Sequence, residues 1–235
     1  MGQNNCRTIA SQLAKNGKCG TDLLDMSYTA ATQMIEDHLS WHMCPGDDLV
    51  SWTSSLLFAL QHAIRRKTKD LPPPSSAEIC ICVIDTFKFD SGLFRSASAL
   101  MQQFGISVVT CYNYKPEDLA HEYLTQGTLN ITGKSATTSL ESLIDAGMYE
   151  LFPELETSKD FLYTRVLELR ANFFASVFPT SDAAFARIKL LASKCFRDDW
   201  VWPLTIILLT LRRRDYKEIF SLSGIPLSLS GMSLS

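Results

Sequence analysis

Across Leu49-Val50-Ser51-Trp52-Thr53 apolar and hydroxyl residues alternate. Ser51 and Thr53 therefore point to one face of a strand, and Val50 and Trp52 to the other. The period then changes. Leu56, Leu57, Ala59, Leu60 and Ala63 recur at three- and four-residue steps, which predicts a helix burying that face, capped by Ser54 or Ser55 and ending in Arg65-Arg66-Lys67. A second helix is expected over residues 22–41, and a short one over 96–104, closed by Gly105. The unbroken apolar run Ile79-Cys80-Ile81-Cys82-Val83-Ile84 predicts a central strand, with Cys80 and Cys82 as small core residues. Further strands are expected at 4–9, 108–112 and 122–129. From Ser139 onward the pattern turns helical, with stretches at 161–178, 182–196 and 202–211. The class is α+β, as a domain over residues 1–135 followed by an all-helical appendage over 136–235 whose Ser-rich tail is expected to be disordered.

Composition narrows the function. With 46% hydrophobic residues the 235-residue chain can bury a proper core, and a net charge of -3 offers no global attraction to nucleic acid. Arg65-Arg66-Lys67 and Arg212-Arg213-Arg214 read as solvated helix ends. The longest apolar run, residues 201–211, is far short of the roughly 20 residues of a membrane span. Seven cysteines, an odd number in a chain of this size, suit reduced thiols in the cytoplasm or nucleus. Neither a nucleic-acid nor a membrane partner is expected, and the oligomeric state stays open.

Several motifs fall in an order that carries a family resemblance. Leu49-Val50-Ser51-x-Thr53-x-Ser55-Leu56-x-x-Ala59 resembles the Ser-Thr-Ser strand and following helix of ADP-ribosyltransferases of the heat-labile enterotoxin type. Glu122-Tyr123-Leu124 is similar to the strand that brings the catalytic glutamate in that superfamily. With His38-Leu39-x-Trp41 and Val83-Ile84-Asp85-Thr86, the set also resembles an uncharacterised fungal domain family assigned to that fold, over roughly residues 5–135. The resemblance implies a split mixed sheet with helices, NAD as the bound substrate, Glu122 as the catalytic acid, and Ser51, Thr53 and Arg7 as NAD-binding residues. The implied activity is mono-ADP-ribosyl transfer to a protein target, or NAD glycohydrolysis.

The chemistry explains the residue types. Breaking the nicotinamide–ribose bond builds positive charge on the ribose, which a carboxylate stabilises. A serine beside that carboxylate positions it, and an arginine fork suits phosphate or ribose oxygens. Two departures from the family pattern stand out. Arg7 sits in a poor strand at the extreme N-terminus, so the site is degraded or the chain is trimmed at its start. Ala120 replaces an acidic or amide residue two positions before Glu122, which disfavours arginine as the acceptor. The alternative is a catalytically inactive member of the fold acting as a protein-interaction module. A third reading makes Trp200, Trp202 and the Arg212 cluster a contact patch. His38, His42 and Cys44 have a spacing compatible with a metal site, but no fourth ligand follows, and a packed or capping histidine pair is the expectation.

Overall fold

The computed structural model describes residues 7–18, 20–42, 44, 46–109, 114–157, 161–178 and 181–214. In chain order its elements are β1 (Thr8–Ala10), α1 (Gln12–Lys15), α2 (Tyr28–Leu39), β2 (Leu49–Thr53), α3 (Leu56–Lys69), β3 (Cys80–Ile84) and β4 (Arg95–Ser96). There follow α4 (Ala97–Gln103), β5 (Glu122–Gln126), β6 (Thr128–Asn130), β7 (Ser135–Ser139), α5 (Leu140–Asp145), α6 (Met148–Leu151), α7 (Leu162–Phe174), α8 (Asp182–Cys195) and α9 (Asp198–Leu209). This is the α+β mixture expected, and the strand pairings of β1, β2, β4, β5 and β6 are antiparallel. The chain forms two compact units, one built from Asn5–Ser55 plus Val83–Ser135, the other from Leu56–Cys82 plus the residues from Ala136. Helix α3 thus groups with the C-terminal helices, which a division of the chain at residue 135 does not anticipate.

In the first unit the sheet order is β2-β5-β4, with β5 in the middle. One face of this sheet carries Leu49 and Leu124, which join Ala31, Ile35 and Leu39 of α2 and Leu100 and Met101 of α4 in a single buried cluster. Positions 31, 35 and 39 lie four apart, so they form one stripe of the helix. On the other face the Trp52 indole N–H donates to Thr125 Oγ1 (2.9 Å), and its ring meets Phe94 edge-on. Gly127, at φ +71°, breaks the run of residues 122–129 expected as one strand, so that β5 ends at Gln126 and β6 pairs with β1 instead. Helix α2 begins at Tyr28, capped by the Ser27 hydroxyl, rather than at residue 22, since residues 23–26 form a turn and bend. Val109 bridges Tyr114, while the rest of the strand expected at 108–112 lies outside the described residues from Thr110 on.

Strand β3 pairs with β7 in a two-stranded sheet. The apolar run at 79–84 is therefore not a central strand of a large sheet. Ile79 and Ile81 are buried, but Cys80 is exposed and Cys82 half-buried, so one face stays open. Helix α3 buries Leu57, Leu60, Ala63 and Ile64, a stripe turned slightly from the expected one, with Leu56 and Ala59 half-buried. It packs on α7, and α8 packs on α9. Helix α9 starts at Asp198, four residues before the expected start, with Asp198 and Asp199 in its first turn where negative charge suits the dipole. Pro203 lies inside the helix, where it removes one backbone bond, and the helix nonetheless continues to Leu209. The tail expected to be disordered lies outside the described residues. Among the described residues no helix is long and apolar enough to cross a membrane.

Candidate functional site

Four side chains of the first unit meet in a continuous hydrogen-bonded chain. In the β2–β5 register Thr53 faces Glu122 and Ser51 faces Leu124, so Ser51 and Glu122 are diagonal neighbours on one sheet face. The Ser51 Oγ donates to Glu122 Oε1 at 2.6 Å. From the last turn of α2, His38 Nε2 lies 2.9 Å from the same Ser51 Oγ, and its Nδ1 lies 2.8 Å from Asp47 Oδ2. The order is Asp47, His38, Ser51, Glu122.

Local backbone chemistry places each member. Helix α2 ends at Leu39, and Trp41 takes φ +58°, a left-handed turn that reverses the chain. The return path brings Asp47 back beside His38 just before β2 begins. Asp47 Oδ1 accepts from the Leu49 N–H at 3.0 Å, so one carboxylate ties both the histidine and the start of the strand. The next residue, Asp48, is buried and accepts from Ser11 Oγ (2.6 Å) and Gln126 Nε2 (3.1 Å), which holds the end of β5 against the start of β2. A Cβ at Gly20 would collide with the Asp48 carboxylate, so this approach needs glycine.

The cluster is accessible on one side. Ser51 is exposed, Glu122 and Thr53 are half-buried, and His38 and Asp47 are largely covered. Burial pushes the Glu122 carboxyl above the usual carboxylate range, while the Ser51 hydrogen bond and the His38 charge pull it back down. Among the described residues Ser51 is the hydrogen-bond partner shown for the Glu122 carboxyl, through Oε1.

The structure brings together Ser51, Thr53 and Glu122 of the residues expected from sequence. Thr53 stands directly opposite Glu122, though its hydroxyl accepts from the Ser55 N–H (3.1 Å) and so serves the turn after β2. Arg7 is not part of the cluster. It is exposed just before β1, and its carbonyl accepts from Ile131 N–H and Thr132 Oγ1. Since β1 pairs with β6, it lies toward the far end of the β5–β6 run from Glu122. Ala120 is exposed before β5 and supplies no polar group. Sequence reasoning missed Asp47, and weighed His38 as a metal ligand or packed residue. His38 instead gives both ring nitrogens to Asp47 and Ser51, while His42 and Cys44 both turn to Asp37, each at 3.6 Å.

Ser51 and Glu122 lie on the sheet face that α2 and α4 cover at Leu49 and Leu124, with Ser51 itself exposed, and fold alone does not name a function or a substrate. The chain belongs to the family described as "Domain of unknown function (DUF7587)", which matches residues 1–132 and so contains His38, Asp47, Ser51 and Glu122. No curated protein and no solved structure matches the chain.

Proposed function

We propose that this unit is an NAD-directed domain of ADP-ribosyltransferase type, with Glu122 as the acid that faces the ribose. The observation that carries the reading is the 2.6 Å bond from Ser51 to Glu122 Oε1, made beside an exposed Ser51. A carboxylate so held meets the positive charge that develops as nicotinamide leaves, and can accept the proton of an attacking water or acceptor hydroxyl. The resemblance in motif order supports the same assignment, with Ser51 positioning Glu122 and Thr53 lining the strand beside it. A protein side chain other than arginine, or water, is the acceptor that Ala120 favours. Nicotinamide release from NAD by the purified chain is the test. Glu122→Gln should lower the rate about 10²–10³-fold, as expected when a charge-stabilising group is lost. Release that is equally fast in this variant would overturn the assignment.

One observation favours a second reading. Arg7, the arginine that the resemblance assigns to phosphate or ribose, is exposed and away from Ser51 and Glu122. On this reading the unit is an inactive member of the fold that docks a protein partner. A folded wild-type chain that releases no nicotinamide, alone or with cell lysate, would favour it.

A further inference from the structure

Proton counting along the four-residue chain gives a result that the fold alone does not. An ionised Asp47 is an acceptor, so its 2.8 Å contact requires the proton on His38 Nδ1. Ser51 Oγ then lies between two claimants, Nε2 at 2.9 Å and Glu122 Oε1 at 2.6 Å, with one proton to give. If Ser51 donates to Glu122, Nε2 must carry its own proton and His38 is an imidazolium facing a carboxylate. If Ser51 donates to Nε2, the short contact to Glu122 is kept by a protonated Glu122 donating to Ser51. Both arrangements hold the same number of protons and the same net charge. They differ in where a single proton sits.

We propose that Asp47 is a positioning residue for Glu122: by fixing the proton on His38 Nδ1, it makes His38 and Glu122 share one proton through the Ser51 hydroxyl. This rests on the reading of Glu122 as the group that meets the ligand, because the shared proton sets whether that group is acid or carboxylate. Burial raises the Glu122 carboxyl while the Ser51 hydrogen bond and the His38 charge lower it, so the carboxyl is electrostatically coupled to the histidine. The other ionisable groups around the path are engaged elsewhere. Asp37 of α2 takes His42 and Cys44, and Asp48 takes Ser11 and Gln126. His121, just before β5, faces Ser54 Oγ at 3.4 Å, and Arg95 of β4 faces Asp22 at 3.7 Å.

The test is an NMR titration of the isotope-labelled full chain, reading the His38 ring nitrogens and the Glu122 carboxyl carbon in wild type, Asp47→Asn and Ser51→Ala. In wild type Nδ1 should keep its proton, and the Nε2 and Glu122 signals should both report the same two macroscopic steps rather than one step each. Asparagine keeps an oxygen for the Leu49 N–H but turns an amide donor toward Nδ1. Neutral His38 should then switch to the Nε2–H form, and Glu122 should titrate alone. Ser51→Ala leaves Asp47 untouched, so it should keep Nδ1–H and lose the coupling, and it carries the test if Asp47→Asn does not fold. Independent transitions in wild type, or an unchanged histidine form in Asp47→Asn, would overturn the proposal. None of these signals needs NAD, so coupling in a chain that releases no nicotinamide would reject the enzymatic reading and leave the shared proton standing.

Discussion

Glu122 works against folding so that its carboxylate can stand where it does. Its carboxyl is held above the ordinary value of 4.5, chiefly by burial, so the folded state binds its proton more tightly than the unfolded chain. Stability contributed by this group is therefore full below 4.5 and falls as pH rises from there through the raised folded value. Glu122→Gln removes the titration, and its melting temperature should exceed that of wild type at neutral pH and converge with it in acid. A variant less stable than wild type at neutral pH would show that the Ser51 and His38 contacts outweigh burial. At this scale strand alternation puts Ser51 and Thr53 on one face, whereas Glu122 was singled out by the family resemblance alone. The sequence could not show Asp47. That role depends on Trp41 entering the left-handed region and turning the chain back, a choice no spacing rule records. His38 and His42 share a helical interval, which suggested a joint task, yet the chain leaves the helix after Leu39 and sends His42 to Asp37.

Among the elements, the connection after α9 is held by an arginine that composition alone marked as surface. The Arg212 guanidinium makes two bonds to Glu154 (2.9 and 2.8 Å) and lies 4.5 Å from the Phe178 ring centre and 5.0 Å from that of Phe173. Its side chain is 11% exposed, so it is an inward clamp rather than a solvated helix end or part of a contact patch. Arg212→Ala should destabilise by roughly 2–4 kcal/mol in urea unfolding, the sum of a lost aromatic contact and a partly buried carboxylate left unpaired. Arg213→Ala, at an exposed neighbour, should stay within about 0.5 kcal/mol. Equal effects would refute the clamp. Helices α7 and α8 were readable because their apolar stripes span several turns. Strand β4 was not, since two residues carry no period, and β3 looked central because hydrophobic cysteines mimic a strand buried on both faces.

For the whole molecule, the family match and the site coincide, for every member of the proton-sharing chain lies within residues 1–132. The class of fold was visible in the change from alternating to helical pattern, whereas the grouping of α3 with later helices is a long-range packing outcome that local periodicity cannot encode. The claim that unites the account is that the face bearing Ser51 and Glu122 takes NAD. Thermal melting with NAD in the millimolar range tests it directly, because a ligand of the folded state stabilises by mass action, about 2.7 kcal/mol at a hundredfold excess over Kd. The expected result is a melting temperature that climbs with NAD in wild type and much less in Ser51→Ala; a wild-type curve that NAD leaves unmoved would contradict the account.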